Sequence, residues 1–95
     1  MSGITVVYWR DIPAQVLAGR GRAATKLPLP ERFEQAIDRA AMRSGAAGTD
    51  EYLAQWRRAP GAPDLGSDAA QAAERLVQDY DDARLKRLVE NNGWG

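Results

Sequence analysis

The amino-acid sequence predicts a single α+β domain over residues 1–95, in which an N-terminal antiparallel sheet of two or three strands packs against three helices. β-Branched and aromatic residues are concentrated between about residues 4 and 27, which favours strands. Apolar residues then recur at helical spacing over about residues 30–44, 49–59 and 67–91. Because the strands come first and the helices follow, the order is typical of an α+β fold.

The first predicted strand covers residues 4–10, and both of its faces are largely apolar, so we expect it to lie centrally in the sheet. Pro13 breaks this extended run because proline cannot donate to a strand ladder. Residues 14–19 resume it as a second strand, most simply antiparallel to the first. After a bend at residues 19–22, a short third strand is expected at residues 23–27.

Standard end signals mark the first two predicted helices. Pro30 suits the first helical turn, Glu31 favours the positive end of the helix dipole, and Gly45 is a natural residue just past the end. The second helix begins after the N-cap residue Thr49 and ends at Pro60.

The third predicted helix begins after Ser67 or Asp68, either of which suits an N-cap. Beyond Tyr80 its apolar positions move about a third of a turn around the axis. Either the helix bends there or Asp81 starts a separate segment, and we favour one bent helix.

The core depends on few large side chains, because much of the apolar content is alanine, which buries little area. A homodimer that buries additional surface is compatible with so small a core. The predicted core residues are Ile4, Val6, Tyr8, Val16, Leu17, Leu27, Phe33, Ile37, Met42, Tyr52, Leu53, Trp56, Leu76, Val77, Tyr80, Leu85 and Leu88.

Two residue types are missing, and their absence limits the chemistry. With no cysteine, the chain alone has neither disulfides nor thiol chemistry, and with no histidine it lacks the commonest general base and transition-metal ligand. We therefore expect no catalysis by this chain, no metal and no cofactor. The 13 basic and 13 acidic residues cancel, which argues against a dedicated nucleic-acid binder.

The chain shows neither a secretory signal pattern near its start nor an apolar run long enough to span a membrane. We expect a soluble cytoplasmic protein that does not bind membranes.

Trp9, Arg10 and Asp11 follow one another at the end of the first strand and suggest a binding rim. The indole would be a stacking platform and the guanidinium an anion clamp. In the alternative interpretation Trp9 is a half-buried strand residue and Asp11 accepts backbone hydrogen bonds that shape the turn. Trp56, placed in the second helix, is expected in the core or at an interface, and Trp94 is expected to be an exposed aromatic near the end.

Two further motifs carry weaker signals. Gly19-Arg20-Gly21-Arg22 combines flexible backbone with two guanidiniums, so it suits either an anion or a solvated turn. The carboxylates of Asp79, Asp81 and Asp82 form the one acidic cluster, but their spacing does not match a calcium-binding loop. Surface pairing with Arg75 and Lys86, four residues away along the helix, is the favoured interpretation.

The sequence resembles the bacterial virulence-factor domain family over roughly residues 4–90. The specific part is YWRDIPAQV at residues 8–16, and residues 31–42 and 50–56 extend the resemblance. It implies a domain of unassigned biochemical function whose genes often neighbour those of folate- and corrinoid-dependent one-carbon enzymes. The family supplies no catalytic residues to transfer.

We therefore expect a non-catalytic binding or accessory module that recognises a protein partner, for which the resemblance suggests a one-carbon enzyme. The alternative is a site for an anionic metabolite such as a folate, held by Trp9 and nearby arginines. A partner surface should be flat or convex and apolar, whereas a ligand site should be a concave pocket with converging arginines. The candidate residues are Trp9, Arg10, Asp11, Gln15, Arg20, Arg22 and Trp56.

Overall fold

A computed structural model of the chain describes residues 4–19, 25–61 and 68–95. Within them, four strands form one antiparallel sheet in the order β3-β2-β1-β4. The strands are β1 (Ile4–Trp9), β2 (Ile12–Ala18), β3 (Thr25–Pro28) and β4 (Trp56–Pro60). The helices are α1 (Glu31–Ser44), α2 (Asp50–Ala54), α3 (Ala69–Asp79) and α4 (Asp82–Glu90).

The α+β class is confirmed, and the third strand forms, but the sheet contains a fourth strand that was predicted as helix. The helix expected over residues 49–59 ends with α2, and residues 56–60 pair with β1 instead. β1 is apolar on both faces and lies centrally, so its second edge requires a partner. Pairing with that edge overrides the weak local helical pattern.

Pro13 also differs from expectation, because it lies inside β2 and not before it. The pairing of β1 with β2 shifts between Val7 and Tyr8, which face Gln15 and Pro13 respectively. Ala14 is therefore an extra residue in β2. Such an irregularity is one of the few places where a sheet accepts proline.

The predicted bent C-terminal helix is wrong, because two helices stand in its place. Tyr80 leaves helical geometry at φ −106° and ψ 72°, and Asp81 starts α4 by accepting a hydrogen bond from the Arg84 amide at 2.8 Å. The break absorbs the shift in the apolar stripe. Two further expected ends form, since Asp68 caps α3 and Gly45 follows α1 with a φ of 78°. Thr49 precedes α2 as expected, but its side chain does not cap the helix and its hydroxyl donates to the Ala46 carbonyl oxygen.

The core lies between one face of the sheet and the helices. Trp9, Ile12 and Phe33 are completely buried there, although neither Trp9 nor Ile12 is in the predicted core. Met42 and Leu53, both predicted to be buried, are 72% and 69% exposed. None of the helices in the described ranges has the length and apolar content needed to cross a bilayer.

Candidate functional site

Trp9 is a core residue and not an exposed platform. Its side chain is 0% exposed, its Nε1 donates to the Tyr52 carbonyl oxygen at 2.9 Å, and its ring centroid lies 5.7 Å from that of Tyr52. The expectation of a stacking rim at Trp9 is therefore wrong. The ring is needed to close the end of the β1–β2 hairpin, where Trp9 and Ile12 face each other.

Arg10 is also turned inward, and only 5% of it is exposed. Its guanidinium lies 4.7 Å from the ring centroid of Trp9 and 5.1 Å from that of Trp94. It donates to the Asn92 carbonyl oxygen at 2.7 Å and to Glu51 Oε1 at 3.2 Å. Nη1 and Nη2 hold the chain together, and Nε is buried without a hydrogen-bond partner among the described residues, so Arg10 does not act as an anion clamp at the surface.

Asp11 and Trp94 attach the C-terminal segment to the hairpin. The Asp11 amide donates to the Gly93 carbonyl oxygen at 2.8 Å, and its Oδ2 accepts from the Gly95 amide at 2.7 Å. Its Oδ1 accepts from Arg57 Nη2 at 3.0 Å. Trp94 is exposed as expected, at 43%, but it docks on the same chain over Arg10.

Of the candidate residues, Gln15 and Trp56 are the two that lie close together and remain accessible at the surface. Both are partly exposed and line the same two shallow concavities on either side of Trp56. Trp56 lies on β4 and contacts Tyr52 edge-to-face at 5.9 Å. The remaining two candidates, Arg20 and Arg22, lie outside the described residues.

A concave pocket of about 580 Å³ lies between the sheet, α4 and the C-terminal segment. We call it the arginine–aromatic pocket. Among the described residues, one arginine from β4 and two from α4 line it with three aromatic rings and one carboxylate. These residues are Arg57, Arg84, Arg87, Tyr8, Tyr80, Trp94 and Asp11.

The arginines of the arginine–aromatic pocket differ in how far they are already engaged. Arg57 lies 4.6 Å from the Tyr8 ring centroid and pairs with Asp11. Arg84 lies 3.9 Å from the Tyr80 ring centroid, and its Nη1 donates to a backbone carbonyl oxygen at 3.1 Å. Arg87 forms no ion pair with any residue that the structure describes. The pocket therefore carries excess positive charge, with Arg87 the most available donor.

Tyr8 contributes a neutral hydroxyl to this pocket. Burial raises the pKa of Tyr8 above its ordinary value, with a smaller upward effect from Tyr80, while Arg57 and Arg84 lower it. Because the net shift is upward, the hydroxyl stays protonated at neutral pH and remains able to donate a hydrogen bond.

Sequence reasoning missed most of this pocket. Arg84 and Arg87 are three residues apart on α4 and so share a face, which was an available signal. Their proximity to Tyr8 and Arg57 could not be predicted from the sequence, because it requires β4 to pair with β1 and α4 to lie beside β4.

The acidic cluster behaves as a set of surface groups. Asp79 pairs with Arg75 at 3.5 Å as expected, Asp81 caps α4, and Asp82 lies 3.4 Å from Arg32 and not beside Lys86. Within the described ranges, no three carboxylates converge in a way that could hold a metal ion.

Comparisons with known proteins place the chain in a family without adding a chemical role. No match is found among curated proteins or among solved structures. A family model described as a virulence factor matches residues 7–89, which is most of the chain, and the protein therefore belongs to the virulence factor family.

Proposed function

We propose that this domain is a non-catalytic binding module whose arginine–aromatic pocket takes an anionic ligand with an aromatic or apolar body. One observation carries the proposal: Arg57 from β4 converges with Arg84 and Arg87 from α4 on a single concave pocket. Because a concave site with converging arginines is what distinguishes a ligand site from a flat partner surface, the geometry favours the ligand.

Charge supports an anion. Three guanidiniums and one carboxylate, that of Asp11, line the pocket, and the carboxylate offsets only Arg57. Guanidinium groups form paired, charge-assisted hydrogen bonds with carboxylates and phosphates. Arg84 and Arg87 are therefore the groups that we assign to ligand binding.

Size and lining support an aromatic or apolar body. The volume of about 580 Å³ falls within the range of small-molecule pockets. Tyr8, Tyr80 and Trp94 offer ring surfaces, and Leu88 adds an apolar patch. A folate, which combines fused rings with two carboxylates, fits this description chemically.

The test is a titration of the protein with folate and with inorganic phosphate, followed by calorimetry. We expect folate to bind at least tenfold more tightly than phosphate, because only folate uses the aromatic lining. Arg87→Gln should weaken folate about ten- to a hundredfold, the value of one lost charge-assisted hydrogen bond.

Arg58→Gln is the matched control, since Arg58 is exposed on the same strand as Arg57 and lies outside the pocket. Its folate affinity should stay within twofold of the wild type. Equal losses in both variants, or no binding of either anion, would contradict the anion site.

Recognition of a protein partner is the second candidate, favoured by Gln15 and Trp56. Trp56 lies on β4, an edge strand of the sheet, and Gln15 lines the same concavity. An exposed edge accepts a strand from another protein, with neighbouring side chains providing specificity. That the partner is a one-carbon enzyme rests on the family resemblance alone.

A pull-down from native lysate compares the wild type with the folded double variant Gln15→Ala/Trp56→Ala. Retention of a folate- or corrinoid-dependent enzyme by the wild type, with its loss in the variant, is the expected outcome. An identical set of captured proteins would count against a partner surface at this position.

A further inference from the structure

We propose that a second, smaller concavity of about 280 Å³ binds an alkylammonium group. It lies where α1, α2 and the start of β4 meet strands β2 and β3. Its charged and aromatic walls are formed by Glu34, Asp38, Tyr52 and Trp56. Among the described residues it shares no lining residue with the arginine–aromatic pocket, so this proposal does not rest on the anion site. We call it the acidic–aromatic pocket.

Two aromatic rings form one side of the acidic–aromatic pocket. Tyr52 and Trp56 meet edge-to-face, with centroids 5.9 Å apart and planes 87° apart, so the two ring faces point in perpendicular directions. The face of an aromatic ring is its negative region and attracts an organic cation placed over it. Both rings line the pocket, although Tyr52 also packs against Trp9 at a centroid distance of 5.7 Å.

Two carboxylates form the opposite side. Glu34 and Asp38 are four residues apart on α1, both are exposed, and neither pairs with a cation among the described residues. Like charges at this spacing repel each other. A bound cation relieves that repulsion, so the site favours positive charge before any other contact forms.

The negative charge of the carboxylates also acts on the Tyr52 side chain. Burial raises the pKa of the Tyr52 hydroxyl, and the next contribution in the same direction comes from Asp38. Among the described residues, none that lines this pocket is an arginine or a lysine. The carboxylates are therefore not neutralised from within the pocket.

The remaining lining selects an alkyl chain over a larger or more polar cation. Leu29 and Ile37 are buried apolar residues at the base, and Ala14 and Pro28 add further carbon surface. The volume is about half that of the arginine–aromatic pocket. An ammonium group on a short methylene chain fits these features, whether it belongs to a free amine or to a lysine side chain.

The test uses backbone amide NMR shifts of the whole chain during titration with butylammonium, with butanol as the neutral isostere. We expect butylammonium to shift amides around Glu34, Asp38, Tyr52 and Trp56, and to bind at least tenfold more tightly than butanol. Equal affinity for the two compounds would overturn the proposal, because the charge would then contribute nothing.

Glu34→Gln/Asp38→Asn keeps the side-chain shapes and removes both charges, and it should lose butylammonium binding at least tenfold. The matched control is Glu31→Gln/Glu74→Gln, which removes two exposed charges outside the pocket and should stay within twofold. Similar losses in the two double variants would also overturn the proposal, since they would report net charge only.

A lysine-containing peptide, compared with the same peptide in which lysine is acetylated, identifies the source of the ammonium. Tighter binding of the free-lysine peptide than of butylammonium supports the site and assigns it to a protein lysine. Tighter binding of butylammonium supports the site and assigns it to a free amine. Failure of both ammonium probes to bind overturns it.

Discussion

Arginine stacks on aromatic rings with opposite consequences at Arg10 and in the arginine–aromatic pocket. In the Arg10 corner, defined by Trp9, Arg10 and Asp11, the guanidinium is sealed between two indoles and bonded to backbone and carboxylate oxygens. In the arginine–aromatic pocket, Arg84 covers the Tyr80 ring but faces an open concavity. The same pairing of residue types thus builds a structural joint in one place and lines an open pocket in the other.

The difference lies in what surrounds the guanidinium. The chain from Asn91 to Gly95 folds over the Arg10 corner and supplies a carbonyl oxygen and the Trp94 ring. Arg87 is exposed on α4 and forms no ion pair with any described residue, which leaves its donors available. Exposure and existing partners, and not residue type, decide which arginine can bind a ligand.

The largest effect is expected from removing the Trp9 ring of the Arg10 corner. Trp9→Ala removes a fully buried indole and should lower the free energy of unfolding by about 3–5 kcal/mol, measured by urea denaturation. Trp94→Ala removes a ring that is 43% exposed; it is the control and should cost about half as much, about 2 kcal/mol. Equal costs would show that the two indoles are not distinguished by burial.

The second-largest effect is expected from removing the Arg10 guanidinium of the same corner. Arg10→Met keeps most of the side-chain volume but removes the hydrogen bonds to Asn92 and Glu51, and should cost about 2 kcal/mol in the same assay. Arg58→Met on exposed β4 should change stability by less than about 0.5 kcal/mol. An Arg10→Met protein as stable as the wild type would contradict a structural role for Arg10.

Asp11 belongs to both regions, so its neutralisation sharpens the comparison. Asp11→Asn weakens the attachment of Arg57 and of the C-terminal segment, and should cost up to about 1 kcal/mol of stability. The same change removes the one carboxylate lining the arginine–aromatic pocket and should raise folate affinity about two- to fivefold. A fall in affinity would mean that Asp11 positions Arg57 for the ligand.

The smallest expected effect is the loss of stability at high pH. Burial raises the pKa of Tyr8 and of Tyr52 above the ordinary value of 10.0, so the unfolded chain loses these protons first. Their contribution is fully present below about pH 10 and is lost as pH rises through the higher folded values. Tyr8→Phe/Tyr52→Phe should therefore lose less stability than the wild type between neutral pH and pH 11. An equal loss of stability in the two proteins over this pH range would contradict this prediction.

Local signals predicted the elements whose ends are set by neighbouring residues. The β-branched run of β1, the left-handed Gly45 after α1 and the Asp68 cap of α3 each depend on a few adjacent residues. The failures occur where local signals compete. Trp56 at helical spacing from Leu53 indicated a helix, but the exposed Leu53 shows that the apparent apolar face was not one.

The candidate site was less predictable than the fold. Trp9, Arg10 and Asp11 were selected because they combine aromatic and charged groups, and the structure uses all three for internal attachment. The pocket that is open uses Arg84 and Arg87, which looked like ordinary exposed helix residues. Whether a polar group is already satisfied depends on distant parts of the chain, and no local pattern records it.

By itself, the sequence determined the α+β class, the central position of β1 and the chemical groups available, which include neither histidine nor cysteine. Only the tertiary structure decided that residues 56–60 are a strand, that Trp9 and Arg10 are buried, and that three arginines converge. Secondary-structure class follows from the periodicity of neighbouring side chains, which is a local property. Strand pairing, burial and pocket formation join residues about fifty or more positions apart, and their free energy exists only once the chain has folded.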